Sequence, residues 1–211
     1  TRGRVPLGPA RFDGGGGIAT LHAITRSVRD SAALLDAVSG PEVGATYGGP
    51  EAARCVSALA RPPGRLRIAL HLASPTGGET AADCVAAAHA AARMCEALGH
   101  DVVLAEPKID VEIFAKARSI LLASTMAGAV LGLQRSLGRD AGHEDFEPLT
   151  WKLLVQGQAI RGHEVLWARE AMFTLHKQMA AFMDSHDVVL SPSLQALGAR
   201  PGTISSSQTS A

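Results

Sequence analysis

A nucleophile beside a base, or a metal held by histidines and carboxylates, should show in residue type and spacing. The sequence holds no Gly-x-Ser-x-Gly elbow and no Ser-x-x-Lys pair. His143-Glu144 and His163-Glu164 each begin a zinc-protease pattern, and both lack its second histidine. The remaining histidines are scattered. His71, His89, His100 and His176 are expected on surfaces or in satisfied hydrogen bonds, so no metal site is predicted. A basic lysine needs burial or neighbours that lower its pKa. Lys108, Lys116, Lys152 and Lys177 have no such setting and read as snorkelling surface side chains. The Gly14-Gly15-Gly16-Gly17 run lacks the Lys-Ser or Lys-Thr of a phosphate cradle and reads as a flexible turn. Ser205-Ser206-Ser207 falls in a polar tail expected to be disordered, not a hydroxyl relay. Taken alone, the residues indicate no catalytic group, no metal and no organic cofactor.

The cysteines, Cys55, Cys84 and Cys95, have no CxxC spacing. Cys84 and Cys95 share a helix face but stand about 16 Å apart along it, too far to bridge. A reducing, cytoplasmic compartment is the mild inference. The chain opens on Thr1 with no charged and apolar leader pattern, so no signal peptide is expected.

The elements that must carry any site follow from capping and periodicity. Ser27-Val28-Arg29-Asp30 has capping-box spacing and predicts a helix to about Ser39, stopped by Gly40-Pro41. Residues 41–65 read as a connecting segment. Leu66 to Leu70 predicts a strand. Thr80-Ala81-Ala82-Asp83 predicts a second capping box. Behind it Cys84, Ala88, Ala91, Cys95 and Leu98 form one stripe, and Gly99 closes the helix. Asp101 to Ala105 predicts another strand. Strand, helix, strand with short connections favours parallel pairing and the α/β class. Residues 109–185 are mostly helical, with a loop from Gly138 to Glu144. In the last helix Val165, Ala168, Met172, Leu175, Met179 and Phe182 mark one buried face. Asp187 to Ser191 returns to strand before Pro192.

The 211 residues suit one domain or a large part of one. Lysine plus arginine balances aspartate plus glutamate at 20 each, so the basic excess of a nucleic-acid binder is absent. The uncharged run from Ser119 to Gln134 is short for a membrane span and reads as a buried core helix.

Several blocks resemble the amidase signature family of serine hydrolases. They are Thr1-Arg2-Gly3-Arg4-Val5-Pro6, the helix from His22 to Asp36, Leu66-Arg67-Ile68-Ala69, Asp83 to Ala87, and Leu98-Gly99-His100-Asp101-Val102. Asp187-Val188-Val189-Leu190-Ser191-Pro192-Ser193 resembles that family's Asp-x-x-Leu-Thr-Pro-Thr strand, and Asp145 to Trp151 resembles a bacterial subgroup. The resemblance runs in order along most of the chain. It implies a partial amidase signature fold, a mixed sheet sandwiched between helices. It also implies hydrolysis of small-molecule carboxamides by a lysine, a bridging serine and a serine nucleophile, with no cofactor. The family's three catalytic residues lie upstream of the position matching Thr1, so none is assigned here. The chain is therefore expected to be an internal or C-terminal fragment, inactive and unstable by itself, with a homodimer left open. Trp151 and Ser193 are the candidate substrate-binding residues, because ligands in α/β sheets collect at strand ends. Their plainer roles are core packing for Trp151 and turn capping for Ser193. The competing reading is a stand-alone, non-catalytic α/β binding module or a degenerate remnant.

Overall fold

In the computed structural model, residues 3–8, 14–44, 54–74 and 78–196 are described. The Ser205 to Ser207 tail lies outside them. The chain divides into two compact units, Thr1–Pro63 and Gly64–Ala211.

The first unit holds α1 (Val28–Val38) and the short α2 (Cys55–Ala58). Ser27 caps α1 as its spacing predicts, its hydroxyl oxygen accepting from the Asp30 N–H at 3.1 Å. The segment expected only to connect contains α2, and its start is fixed from α1. The Asp36 carboxylate accepts from the N–H groups of Cys55 at 2.5 Å and Val56 at 3.0 Å. Those donors are orphans of a helix start, which is why a carboxylate settles there. The Gly14–Gly17 run is a tight 3-10 turn. Gly15 and Gly16 have φ of 62° and 68°, a left-handed conformation that a side chain would resist.

The second unit begins with β1 (Arg67–Leu70), α3 (Ala82–Ala97) and β2 (Asp101–Leu104). It continues with α4 (Val111–Leu137), α5 (Pro148–Ala159), α6 (Gly162–Met183) and β3 (Val188–Leu190). The sheet order is β2-β1-β3 and both pairings are parallel. The expected βαβ unit is present, with Ile68 opposite Val102 and Val188. The antiparallel members of a mixed sheet are not among the described strands. Central β1 buries Ile68, Ala69 and Leu70, as a strand with a neighbour on each side should. Leu70 packs with Ala88 and Ala92 of α3, and Leu72, Val102 and Leu190 close around them.

The start of α3 departs from expectation. Its N-cap is Ala81, without a side-chain bond. The Thr80 hydroxyl donates instead to the Leu72 carbonyl at 3.0 Å, and the Ala81 N–H donates to the Gln195 carbonyl at 2.8 Å. Long-range ties to the strand ends have displaced the local cap. Gly99 follows α3 with φ 90°, as predicted.

α4 packs against both α5 and α6. Its side chains Ala117, Leu121, Ala123 and Val130 are buried, but only 17% of its most apolar stretch is, so the expectation of a buried core helix is corrected to a largely exposed helix held by these few contacts. It is also the one described helix long and apolar enough to cross a membrane. On α6, Ala168 and Leu175 are buried and Val165, Met172, Met179 and Phe182 are half-buried, so the predicted face is the one that packs. α4 and α5 approach closely at Gly157, where a Cβ would strike the Ala123 carbonyl oxygen and lie 2.9 Å from the Ala127 Cβ.

Candidate functional site

Trp151 stands on the first turns of α5, which starts at Pro148. A proline fits there because its missing N–H would be unpaired anyway. The indole is half-buried and meets the His143 ring edge-on at 5.5 Å and the Phe146 ring at 6.2 Å. A forked ion pair shapes the loop that supplies those rings. Both Arg139 Nη groups donate to Asp145 oxygens at 2.9 Å, and the Gly142 N–H adds a third bond at 2.9 Å. The Arg139 donors first, then the Gly142 N–H, lower the Asp145 carboxyl to about 2. A cavity of about 150 Å³ adjoins this loop, lined by Leu133, Leu137, Ala141 and Phe146 with Arg139 and Asp145. Its charged groups are spent on each other. The arrangement can hold an apolar group, and it presents no nucleophile.

Ser193 lies beyond β3, exposed, where the strand ends meet the start of α3. The His71 N–H donates to the Leu190 carbonyl at 2.9 Å, and Gln195 donates from Nε2 to the Glu79 carbonyl at 3.4 Å. This corner is therefore stitched by backbone as well as side chain. The His71 Nδ1 is buried there without a hydrogen-bond partner among the described residues. The expectation that His71 is satisfied or on the surface is corrected, because its Nδ1 is buried without a partner while its backbone N–H is tied to β3. The other histidines match the bland reading. His89 and His176 are exposed, and His100 Nδ1 accepts from the Leu66 N–H at 3.3 Å. Lys116 lies 4.8 Å over the Trp167 ring and Lys177 lies 4.9 Å over Phe173, both exposed.

The ring contacts of Trp151 go to residues 143–146, and the bonds around Ser193 go to the start of α3. The two candidates do not form one constellation. Their assignment as substrate contacts rests on strand-end position and apolar surface alone.

At the opposite end of the strands, Arg67 and Asp187 clamp β1 to β3. The Arg67 Nη2 donates to Asp187 Oδ1 at 2.8 Å, and its Nε and backbone N–H donate to Oδ2 at 3.2 and 2.8 Å. These donors lower the Asp187 carboxyl to about 2. An exposed Arg65–Asp101 pair ties β1 to β2 in the same way.

One pair had no signal in the sequence. His22 Nε2 and Ser31 Oγ lie 2.7 Å apart, nine residues apart in the chain, across the cap of α1. Neither helix nor strand periodicity brings such a spacing together. His22 is exposed and the pair lies on a surface rather than in a cleft, so it serves as a local tie. Cys55, Cys84 and Cys95 are unpaired. Burial first, then the Asp36 carboxylate, raises the Cys55 thiol and keeps it a poor nucleophile. Among the described residues no three His, Cys, Asp or Glu side chains gather as metal ligands would.

A three-stranded parallel sheet with α3 packed on it, followed by the helices α4 to α6, defines part of an α/β fold. The solved 6-aminohexanoate cyclic dimer hydrolase complexed with substrate matches 88% of this chain and 40% of its own, with a TM-score of 0.78 and 29% identity. A bacterial aryl acylamidase of the amidase signature family matches 83% of this chain and 36% of its own, at a TM-score of 0.73 and 22% identity, which shows the fold alone. In sequence, the chain is 34% identical over 168 residues to the 6-aminohexanoate-cyclic-dimer hydrolase of Paenarthrobacter ureafaciens, covering 77% of this chain and 34% of that protein. It is also 34% identical over 200 residues to a Mycobacterium bovis protein described as amidase AmiB2, covering 90% and 38%. No protein-family model matches the sequence. The chain belongs with the amidase signature enzymes and carries part of their fold. It spans about a third of the length of the curated relatives it matches.

Proposed function

We propose that this chain is a portion of an amidase that hydrolyses the C–N bond of small-molecule carboxamides. The observation that carries the reading is the joint match, in sequence and fold, to the 6-aminohexanoate-cyclic-dimer hydrolase. In the proposed reaction a lysine takes a proton through a bridging serine while a second serine attacks the amide carbonyl. Backbone N–H groups stabilise the oxyanion, the amine leaves, and water releases the acyl group. Those catalytic residues are placed outside these 211 residues. No described residue of the chain offers a buried lysine beside a serine, which supports that placement. What this chain contributes is then positioning: the α4–α6 layer, the strand-end corner and, as proposed substrate contacts, Trp151 and Ser193.

The test is hydrolysis of small linear and cyclic amides by the purified 211-residue chain. None is expected. Turnover that a serine-directed phosphonate blocks would place the catalytic serine inside the chain and overturn the reading. Reading the DNA on the 5′ side of the Thr1 codon is the companion test. An open frame encoding a lysine and a Gly/Ser-rich stretch is expected, and a start codon at that point would favour a binding module instead.

A further inference from the structure

The second unit leaves much of its apolar content in water. Among its described residues the buried hydrophobic ones are twelve, and six of them are alanines. Sixteen large hydrophobic side chains among the described residues of the same unit are exposed. Scattered exposed leucines are ordinary, but these follow the geometry of their elements. On α6, Leu166 and Phe173 are 66% and 59% exposed, and their spacing of seven puts them on one stripe. That stripe is turned well away from Ala168 and Leu175, which are buried. α6 therefore has two apolar faces, one used and one unused. The sheet repeats the pattern. β3 pairs with β1 on one side, and no described strand pairs with its other edge, where Val188 is exposed. An open edge and uncovered apolar stripes mark surfaces that another part of a fold covers.

The comparisons indicate what that part is. The solved hydrolase uses 40% of its chain to match this one, which leaves 60% of it unmatched. We propose that the Leu166–Phe173 stripe of α6 and the free edge of β3 form a docking surface for the rest of an amidase signature fold. The proposal rests on the amidase reading above for the identity of the occupant. A second copy of this chain is the competing occupant.

Two arms test it. In the first, the chain is mixed with a separate polypeptide made of the part of the Paenarthrobacter ureafaciens hydrolase that the chain does not match. In the second, the chain replaces the matched segment within that hydrolase. Hydrogen exchange is read at residues 162–183 and 188–190 in the chain alone and in each arm. Slowing of at least tenfold in the second arm is expected, and slowing in the first as well identifies a surface able to dock a separate polypeptide. Leu166→Lys with Phe173→Lys should leave the melting temperature of the chain alone within about 2 °C, since both sites are already in water. The same pair should lower that of the replaced hydrolase by more than 5 °C. Equal effects in both backgrounds, unchanged exchange in both arms, or protection that grows with concentration in the chain alone would each overturn the proposal. Amide hydrolysis by the replaced hydrolase reads the functional proposal separately: docking without turnover would leave the surface standing and remove the activity.

Discussion

Substituting the glycines of the helical layer separates packing from propensity within one experiment. Gly→Ala in an open helix position gains about 1 kcal/mol, because alanine loses less backbone entropy on folding. At Gly132 on α4 nothing lies within 4 Å of an added Cβ. Gly132→Ala should therefore raise stability by about 1 kcal/mol, or roughly 2–4 °C in Tm for a unit of this size. At Gly157 the same methyl would strike the Ala123 carbonyl oxygen and sit 2.9 Å from the Ala127 Cβ. A backbone oxygen within a helix cannot swing aside, so α4 and α5 must separate. Overpacking of this kind costs about 1–3 kcal/mol, with the backbone clash placing it at the upper end. Subtracting the propensity gain leaves a net loss of about 1–2 kcal/mol, or roughly 2–8 °C. Thermal melting of the two variants and the parent, followed by circular dichroism at 222 nm, reads the difference. A rise for both variants would show that α4 and α5 do not meet at Gly157 and would refute the packing argument.

Leu121 is the one large side chain among the described residues exposed by less than 2%, and Leu121→Ala should cost about 2–5 kcal/mol in urea unfolding; a loss under 1 kcal/mol would mean that α4 is not the centre of its layer. Acid should loosen the strand starts. The Asp187 and Asp145 carboxyls lie near 2 when folded, below the ordinary 3.8, so their contribution is complete above about pH 4 and is lost as pH falls toward 2. Asp187→Asn should flatten that part of the stability–pH curve, and an unchanged slope would show that the clamp carries none of it.

Much of the fold was legible because its signals are local. Ser27 caps α1, Gly99 ends α3, and the 3–4 spacing from Val165 to Phe182 marks the packed face of α6. Each needs only a few neighbouring residues to act. The failures are long-range. Thr80 has cap spacing, yet its hydroxyl goes to Leu72, and the Ala81 N–H goes to Gln195, more than a hundred residues away. The Asp36 carboxylate caps a helix nineteen residues on, which no window along the chain reveals. His71 was read as satisfied or on the surface, and the burial of its Nδ1 beside β3 has no signal along the chain. For the candidate site, the aromatic content of 143–151 could be read, while the separation of Trp151 from the Ser193 corner required the tertiary structure. The family likeness was carried by ordered blocks, and the comparisons bear it out at the level of fold and homology.

The Arg67–Asp187 clamp has a consequence for synthesis. β1 and β2 start 34 residues apart, whereas β1 and β3 register 120 residues apart at Ile68 and Val188. Loop closure adds only about 0.6 kcal/mol per doubling of length, so the final pairing costs about 1 kcal/mol more than the first. Time is the larger asymmetry. At about 5–20 residues per second, β3 leaves the ribosome roughly 4–17 s after β2. Through that interval a nascent β1–β2 pair carries an unzipped side, with the Arg67 guanidinium waiting for its carboxylate. The clamp that locks the sheet is thus the last of its ties that synthesis can complete.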